Sequence, residues 1–203
     1  MRAPCRAGVI MPGMSEILAV GIGVGLAAAA GVRAYIPVLV VGVFALIGTL
    51  ALHRPFGVLD GGVALGALVV LALLEVGLDK AGGVSRVLDY VQFPVRMAAG
   101  AVLFAVALGV GVGQAAVPEL VAGGVIAGIV AALKMVLRPV GGGTGVSAGF
   151  LSLCEDLTGL IGGVVSVFVP YIALALVAFL LFFYYRVKRR RERKYRGLRI
   201  LGD

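Results

Sequence analysis

"GFLSLCEDLTGLIGG", residues 149–163, sets two adjacent carboxylates, Glu155 and Asp156, in a run whose next charged neighbours along the chain are Arg138 and Arg186. Two acids on a helix are ordinary in water, but the rest of the chain is not built for water. Of its 203 residues 61% are hydrophobic and 14% charged, against roughly 25% charged in a typical soluble domain. Uncharged segments recur at 17–32, 34–52, 61–74, 97–118, 120–133, 139–154 and 157–185. A bilayer core of ~30 Å takes about 20 mostly apolar residues per helix. The pattern predicts an all-α, polytopic transmembrane helical bundle over residues 16–185, between an N-terminal segment 1–15 and a basic tail 186–203. A charge at a helix centre costs about 2.5–3.5 kcal/mol on insertion, so Glu155 and Asp156 each require a basic partner, a bound cation or a proton.

The formal net charge of +8 belongs to the tail. Residues 1–185 carry nine basic and eight acidic side chains, and residues 186–203 carry nine and two. Tyr184 and Tyr185 precede that cluster, the pattern of an aromatic interface anchor followed by cytoplasmic Lys and Arg. The expected setting is therefore the cytoplasmic (inner) membrane, with a cytoplasmic C-terminus. A juxtamembrane basic cluster attracts anionic lipid headgroups by about 1 kcal/mol per residue, and this reading is preferred to a nucleic-acid one. Cys5 and Cys154 lack metal-ligand spacing, and His53 lies in the polar link "HRPFG", so no metal site is expected. No cofactor is expected either. "GIGVGLAA", "GVGVGQAA" and "GGGTG" lack the strand context, or the Lys-Ser/Thr pair, of a phosphate-binding loop. The N-terminal residues are not expected to form a cleavable signal peptide.

Two places leave the span count at six or seven. In "AAAAGVRAYIPVLVVG", Gly31, Arg33 and Pro37 predict one helix ending near Gly31 and another starting near Pro37. The glycine-rich stretch leading into "LCEDL" either spans or forms a broken, re-entrant element, which is tolerated where it lines a cavity or is buried in protein. Seven spans put Arg33, Lys80, Arg86, Arg96 and Arg138 on the inside with the tail, as the positive-inside rule favours. Between Lys80 and Arg96, Val84, Val87, Leu88 and Val91 recur at helical spacing and predict a short interfacial helix ending before Pro94. Gly21/Gly25, Gly62/Gly66, Gly109/Gly113, Gly124/Gly128 and Gly159/Gly163 are small-xxx-small pairs, which allow tight helix packing and offer a homodimer contact.

An internal repeat is suggested by "LALLEVGLDKAGG" (71–83) and "VAALKMVLRPVGG" (130–142), which superimpose Glu75 and Asp79 on Lys134 and Arg138. Opposite signs at matching places predict that the two helices face each other, unless these end-of-segment charges snorkel to the interface. Arg33 and Arg96 are the expected partners of Glu155 and Asp156. Together with Asp89, these residues define the expected polar pocket: Arg33, Glu75, Asp79, Asp89, Arg96, Lys134, Arg138, Glu155 and Asp156.

"GVRAYIP", "LLEVGLDK", "LDYVQFPVR" and "GVSAGFLSLCED" together resemble a family of small bacterial integral membrane proteins catalogued only as a domain of unknown function. The resemblance covers roughly residues 17–185 and implies an α-helical membrane fold without implying an activity. Two functions stay open. One is a small ion or solute transporter or channel, with Glu155 and Asp156 as coordinating acids. The other is a structural or lipid-interacting membrane protein, whose buried charges are internal ion pairs that fix helix register. An enzyme is not expected: "GVSAG" lacks the strand-to-helix setting of a nucleophile elbow, and aspartyl chemistry requires two acids brought together, such as Asp79 with Asp156.

Overall fold

The computed structural model describes residues 16–50, 52, 56–80, 85–109, 117–137 and 146–172, with isolated positions up to 182. Among them are six α-helices: α1 (Glu16–Val32), α2 (Tyr35–Leu46), α3 (Gly62–Lys80), α4 (Ser85–Ala107), α5 (Val117–Leu137) and α6 (Val146–Phe168). A short 3-10 turn, Phe56–Asp60, precedes α3, and no strand occurs among the described residues. Three helices, α3, α4 and α5, are long and apolar enough to cross a bilayer. The shorter apolar helices α1 and α2 are separated only by Arg33 and Ala34.

The central element is α1, which packs against α4, α5 and α6. Its sequence explains how one helix serves three neighbours. From Leu26 to Gly31 every residue is buried, and four of the six are alanines. Short side chains let neighbouring backbones come close, which favours association where lipid removes the hydrophobic drive. The tightest approach is between α4 and α5. A Cβ at Gly100 would collide with the Ala127 methyl and lie 2.9 Å from the Gly123 carbonyl, and one at Gly31 would lie 2.6 Å from the Ala127 carbonyl. Gly124 and Gly128 face Met97, and Gly159 and Gly163 receive Arg33, Pro37 and Val40, so these two small-xxx-small pairs are spent within the chain. Gly109 is not inside a helix. It closes α4 with φ 66°, its N–H donating to Val106, the left-handed cap that glycine adopts without penalty. Gly62 and Gly66, by contrast, face open space.

These differences predict opposite responses to one added methyl. Gly123→Ala is expected to lose about 1–3 kcal/mol through overpacking. Gly66→Ala on the open face of α3 is expected to gain roughly 0.5–1 kcal/mol by relieving glycine's entropic cost in a helix. Thermal unfolding of both variants in detergent checks the pair, and equal midpoints would contradict the packing.

Burial runs opposite to that of a water-soluble bundle. On α4, Asp89, Gln92 and Arg96 are buried while Tyr90 and Val91 are exposed. On α3, Glu75 and Asp79 are buried while Val70, Leu73 and Leu74 are exposed, and α6 buries Ser152 and Ser166 while exposing Leu153, Leu157 and Leu160. Apolar outside and polar inside is the arrangement expected when lipid is the solvent. This overturns the interfacial helix ending before Pro94. That segment is the start of α4, which runs unbroken through Pro94. Pro94 is on the exposed face, so the carbonyl four residues back that it leaves unbonded opens outward and is not trapped against a neighbour.

The break expected between Gly31 and Pro37 is present, but narrower: α1 runs to Val32 and α2 begins at Tyr35, with Pro37 in its first turn, where the missing N–H has no helical partner to lose. The "LCEDL" stretch lies in α6, which is a continuous 23-residue helix. The glycines 141–143, Arg138, His53, Cys5 and the basic tail lie outside the described residues.

Candidate functional site

The chain's interrupted backbone and its buried charges meet in one place. At the α1–α2 break two helix ends face each other, with carbonyls unpaired on one side and N–H groups on the other. Glu75 of α3 answers the N–H side: its carboxylate accepts from Ala34 N at 3.2 Å and Tyr35 N at 3.4 Å. Lys134 of α5 answers the carbonyl side, donating to the Val32 carbonyl at 3.2 Å. Each charge has the sign that the helix dipole favours at that end. A carboxylate and an ammonium from two other helices therefore hold the break open.

Arg33, in the break itself, is 0% exposed. Its Nη2 lies 2.8 Å from Asp79 Oδ2, 2.7 Å from Asp156 Oδ1 and 3.8 Å from Glu155 Oε2, and donates to Ser152 Oγ at 3.1 Å. Ser152 Oγ in turn donates to Asp79 Oδ2 at 3.1 Å. Lys134 Nζ is 2.7 Å from Glu155 Oε2 and 3.5 Å from Asp89 Oδ1. Asp89 Oδ1 lies 3.0 Å from Arg96 Nη2, which also reaches Glu75 Oε1 at 3.7 Å and donates to Gln92 Oε1 at 3.0 Å. The eight ionic groups form one connected network. It draws on the C-terminal ends of α3 and α5, the N-terminal halves of α4 and α6, and the α1–α2 break.

Eight of the nine expected pocket residues are thus brought together, and Arg138 lies outside the described residues. Their pairing differs from expectation in two respects. Glu75 and Lys134 do not face each other; they cap opposite sides of the break and take Arg96 and Glu155 as partners. The Glu75–Lys134 pairing expected from the repeat gives way to the free backbone groups at the break, which engage both residues, and the pairing with Arg138 lies outside the described residues. Glu155 and Asp156 were expected on Arg33 and Arg96. Asp156 does pair with Arg33, but Glu155 reaches Lys134 more closely, and Arg96 binds Asp89. Adjacent helix positions point about 100° apart, so the two acids serve different bases. Snorkelling is overturned for Glu75, Asp79 and Lys134, which are at most 8% exposed.

Arg33 and Arg96 also fail as loop charges, at 0% and 1% exposed. The positive-inside argument for seven spans therefore loses both. Ser152 and Gln92 were missed by sequence reasoning, though each stands four residues before a charged member of the site, Asp156 and Arg96, and so on the same helix face. Asp79 and Asp156 do converge, with the Arg33 guanidinium contacting both.

The network is not fully satisfied. Nε and Nη1 of Arg33, and Nε and Nη1 of Arg96, are buried with no hydrogen-bond partner. A buried unpaired donor costs about 1–3 kcal/mol, and more when charged. No group of three or more His, Cys, Asp or Glu side chains with metal-binding geometry occurs among the described residues.

A family model described as Domain of unknown function (DUF4126) matches residues 20–190. No curated protein and no solved structure matches the chain.

Proposed function

The chain belongs to that family of unknown function, and from the site alone we propose that it moves an ion or small solute across a membrane through the charged centre at the α1–α2 break. One observation carries this reading. Lys134 Nζ sits against a helix-end carbonyl, Val32 O, and two carboxylates, Glu155 and Asp89. Interrupted helices present that kind of ligand set to a transported cation. Here the ammonium of Lys134 occupies it. The protein is proposed to be multi-pass in the inner membrane with its C-terminus cytoplasmic and its basic tail on anionic lipid. The open Gly62 and Gly66 on α3 are the surface on which a second copy would pack.

A structural role is the second reading, favoured by the charged caps on both sides of the break: the same network that would bind cargo also fixes the register of α1 and α2. Proteoliposome flux separates the two. Glu155→Gln and Asp156→Asn, at normal protein level, are expected to lose most ion-dependent flux. Flux that is absent from the unaltered protein, or equal in the variants, would assign the acids to structure.

A further inference from the structure

The contacts between helices fix the direction of each one. On α1, Gly23 meets Phe104 and Ala107 of α4, while the Ala27 carbonyl lies against Gly100, so α1 and α4 run antiparallel. Gly123 of α5 meets Phe104 and Gly128 meets Met97, which sets α5 antiparallel to α4. Gly42 of α2 meets Leu65 near the start of α3, whereas the backbone at Ala34 meets Glu75 near its end, so these two also oppose each other. On α6, Gly163 meets Pro37 and Val40, and the Phe168 ring packs edge to face on Phe44 at 5.2 Å, parallel to α2. Gly159 and Gly162 meet Arg33 and Ala29, antiparallel to α1. Thus α1, α3 and α5 point one way, and α2, α4 and α6 the other. The charged network stands where the first three end and the others begin.

The chain does not turn back after α6. Pro170 and Leu174 meet Gly21, near the start of α1, and so continue the succession begun by Gly159 and Gly162. Only Val169 interrupts the helix before positions 170–172, and its N–H still donates to Val165 at 2.8 Å. Residues 175–185 then remain before Arg186. An apolar segment in lipid is helical, and this one rises about 16 Å, too little to recross a core of ~30 Å.

We infer that the charged network stands at the end of the bundle away from the basic tail and faces the extracytoplasmic side, from which it takes its ligand. By connectivity, Arg54 between α2 and α3 and the nine basic residues of 186–203 belong to the tail's end, whereas Lys80, Arg86 and Arg138 belong to the network's. That excess sets the tail's end inside. Toward the tail's end, Ile22, Leu103, Val106, Ala107 and Val167 form one buried apolar cluster. A ligand passing on to the cytoplasm has to part it. This placement rests on the multi-pass reading with a cytoplasmic tail, and it names the side of access for the transport reading.

The test places single cysteines in the full chain carrying Cys5→Ser and Cys154→Ser, in right-side-out membrane vesicles. The probe is a membrane-impermeant maleimide, added before and after permeabilisation, and antibody access to a C-terminal epitope reports the tail. Gly82→Cys in the α3–α4 link and Gly142→Cys in the α5–α6 link are expected to label in sealed vesicles. Val58→Cys, at a position 71% exposed in the turn before α3, and Gln114→Cys in the α4–α5 link are expected to label only after permeabilisation, as the epitope does.

Protection of Gly82→Cys and Gly142→Cys together with the epitope would put the network on the tail's side and overturn the inference. Inversion of all four sites, with the epitope reached in sealed vesicles, would overturn the side assigned and the cytoplasmic-tail reading with it. Where a glycine variant is not recovered in membranes, Ala81→Cys or Gly141→Cys in the same link is judged by the same outcomes. Labelling does not depend on flux, so a chain that transports nothing still tests the placement, and failure of the transport reading leaves it standing.

Discussion

Replacing Arg33 with methionine is expected to destabilise the folded protein by about 3–5 kcal/mol, the cost of leaving buried charge without its partner. Arg33 has no exposure, and Asp79 and Asp156 lie within 2.8 Å of its Nη2. Both carboxylates would stay behind in a low-dielectric interior, and the Ser152 hydroxyl would lose one partner. Much of the loss is therefore a penalty on what remains. Adding Asp79→Asn and Asp156→Asn to the Arg33→Met background should recover most of it, because a buried ionic cluster replaced by neutral groups of similar volume is often no less stable. Equilibrium unfolding in mixed detergent measures both steps. No recovery in the triple variant would mean that the guanidinium holds the break by its shape and not by its charge.

Lys134→Ala is expected to cost a similar amount, about 3–5 kcal/mol, through a different set of partners. The ammonium is shared among the Val32 carbonyl, Glu155 and Asp89. Its removal uncaps the end of α1, takes from Glu155 the base at 2.7 Å and takes from Asp89 one of its bases. The space left keeps a carbonyl and two carboxylates, so added ammonium or methylammonium should restore part of the stability in a concentration-dependent way, as binding to the folded state alone requires. The same additions should leave Gly123→Ala unrescued, because its loss is steric and opens no ammonium-sized space. Rescue of both variants alike would point to a general salt effect.

Much of the architecture is legible in the residues. The length and spacing of the apolar runs predict a helical bundle with lipid as its solvent, and α3, α4 and α5 have the length and composition to cross one. Gly31, Arg33 and Pro37 mark the break to within a few residues, because proline and glycine act locally on the backbone. The membership of the pocket is also readable, since a charge in an apolar segment needs company wherever the chain places it. Ser152 and Gln92 carry no such signal. A neutral polar residue inside a helix is cheap enough to face either way.

Partnership inside the pocket is where sequence logic stops. Matching Glu75 and Asp79 with Lys134 and Arg138 treats helices as rods with charges on them. It takes no account of the helix ends at the break, whose free N–H and C=O groups compete for the same charges. The Lys80–Arg96 link is misread for a related reason. Its apolar stripe reads as the face of a short helix lying at the membrane surface and ending before Pro94, whereas α4 runs on through Pro94 and turns Asp89, Gln92 and Arg96 to the centre and Tyr90 and Val91 outward.

The sequence by itself determined the solvent, the helical class and which side chains cannot stand alone, because insertion cost and backbone propensity are properties of single residues and short windows. Only the tertiary structure decided that Glu155 meets Lys134, that Asp156 meets Arg33, and that Glu75 and Lys134 hold the α1–α2 break apart. Those pairings depend on where helix ends and glycine contacts fall in three dimensions. "LCEDL" states that two acids need partners, and the α1–α2 break and the end of α5 supply them.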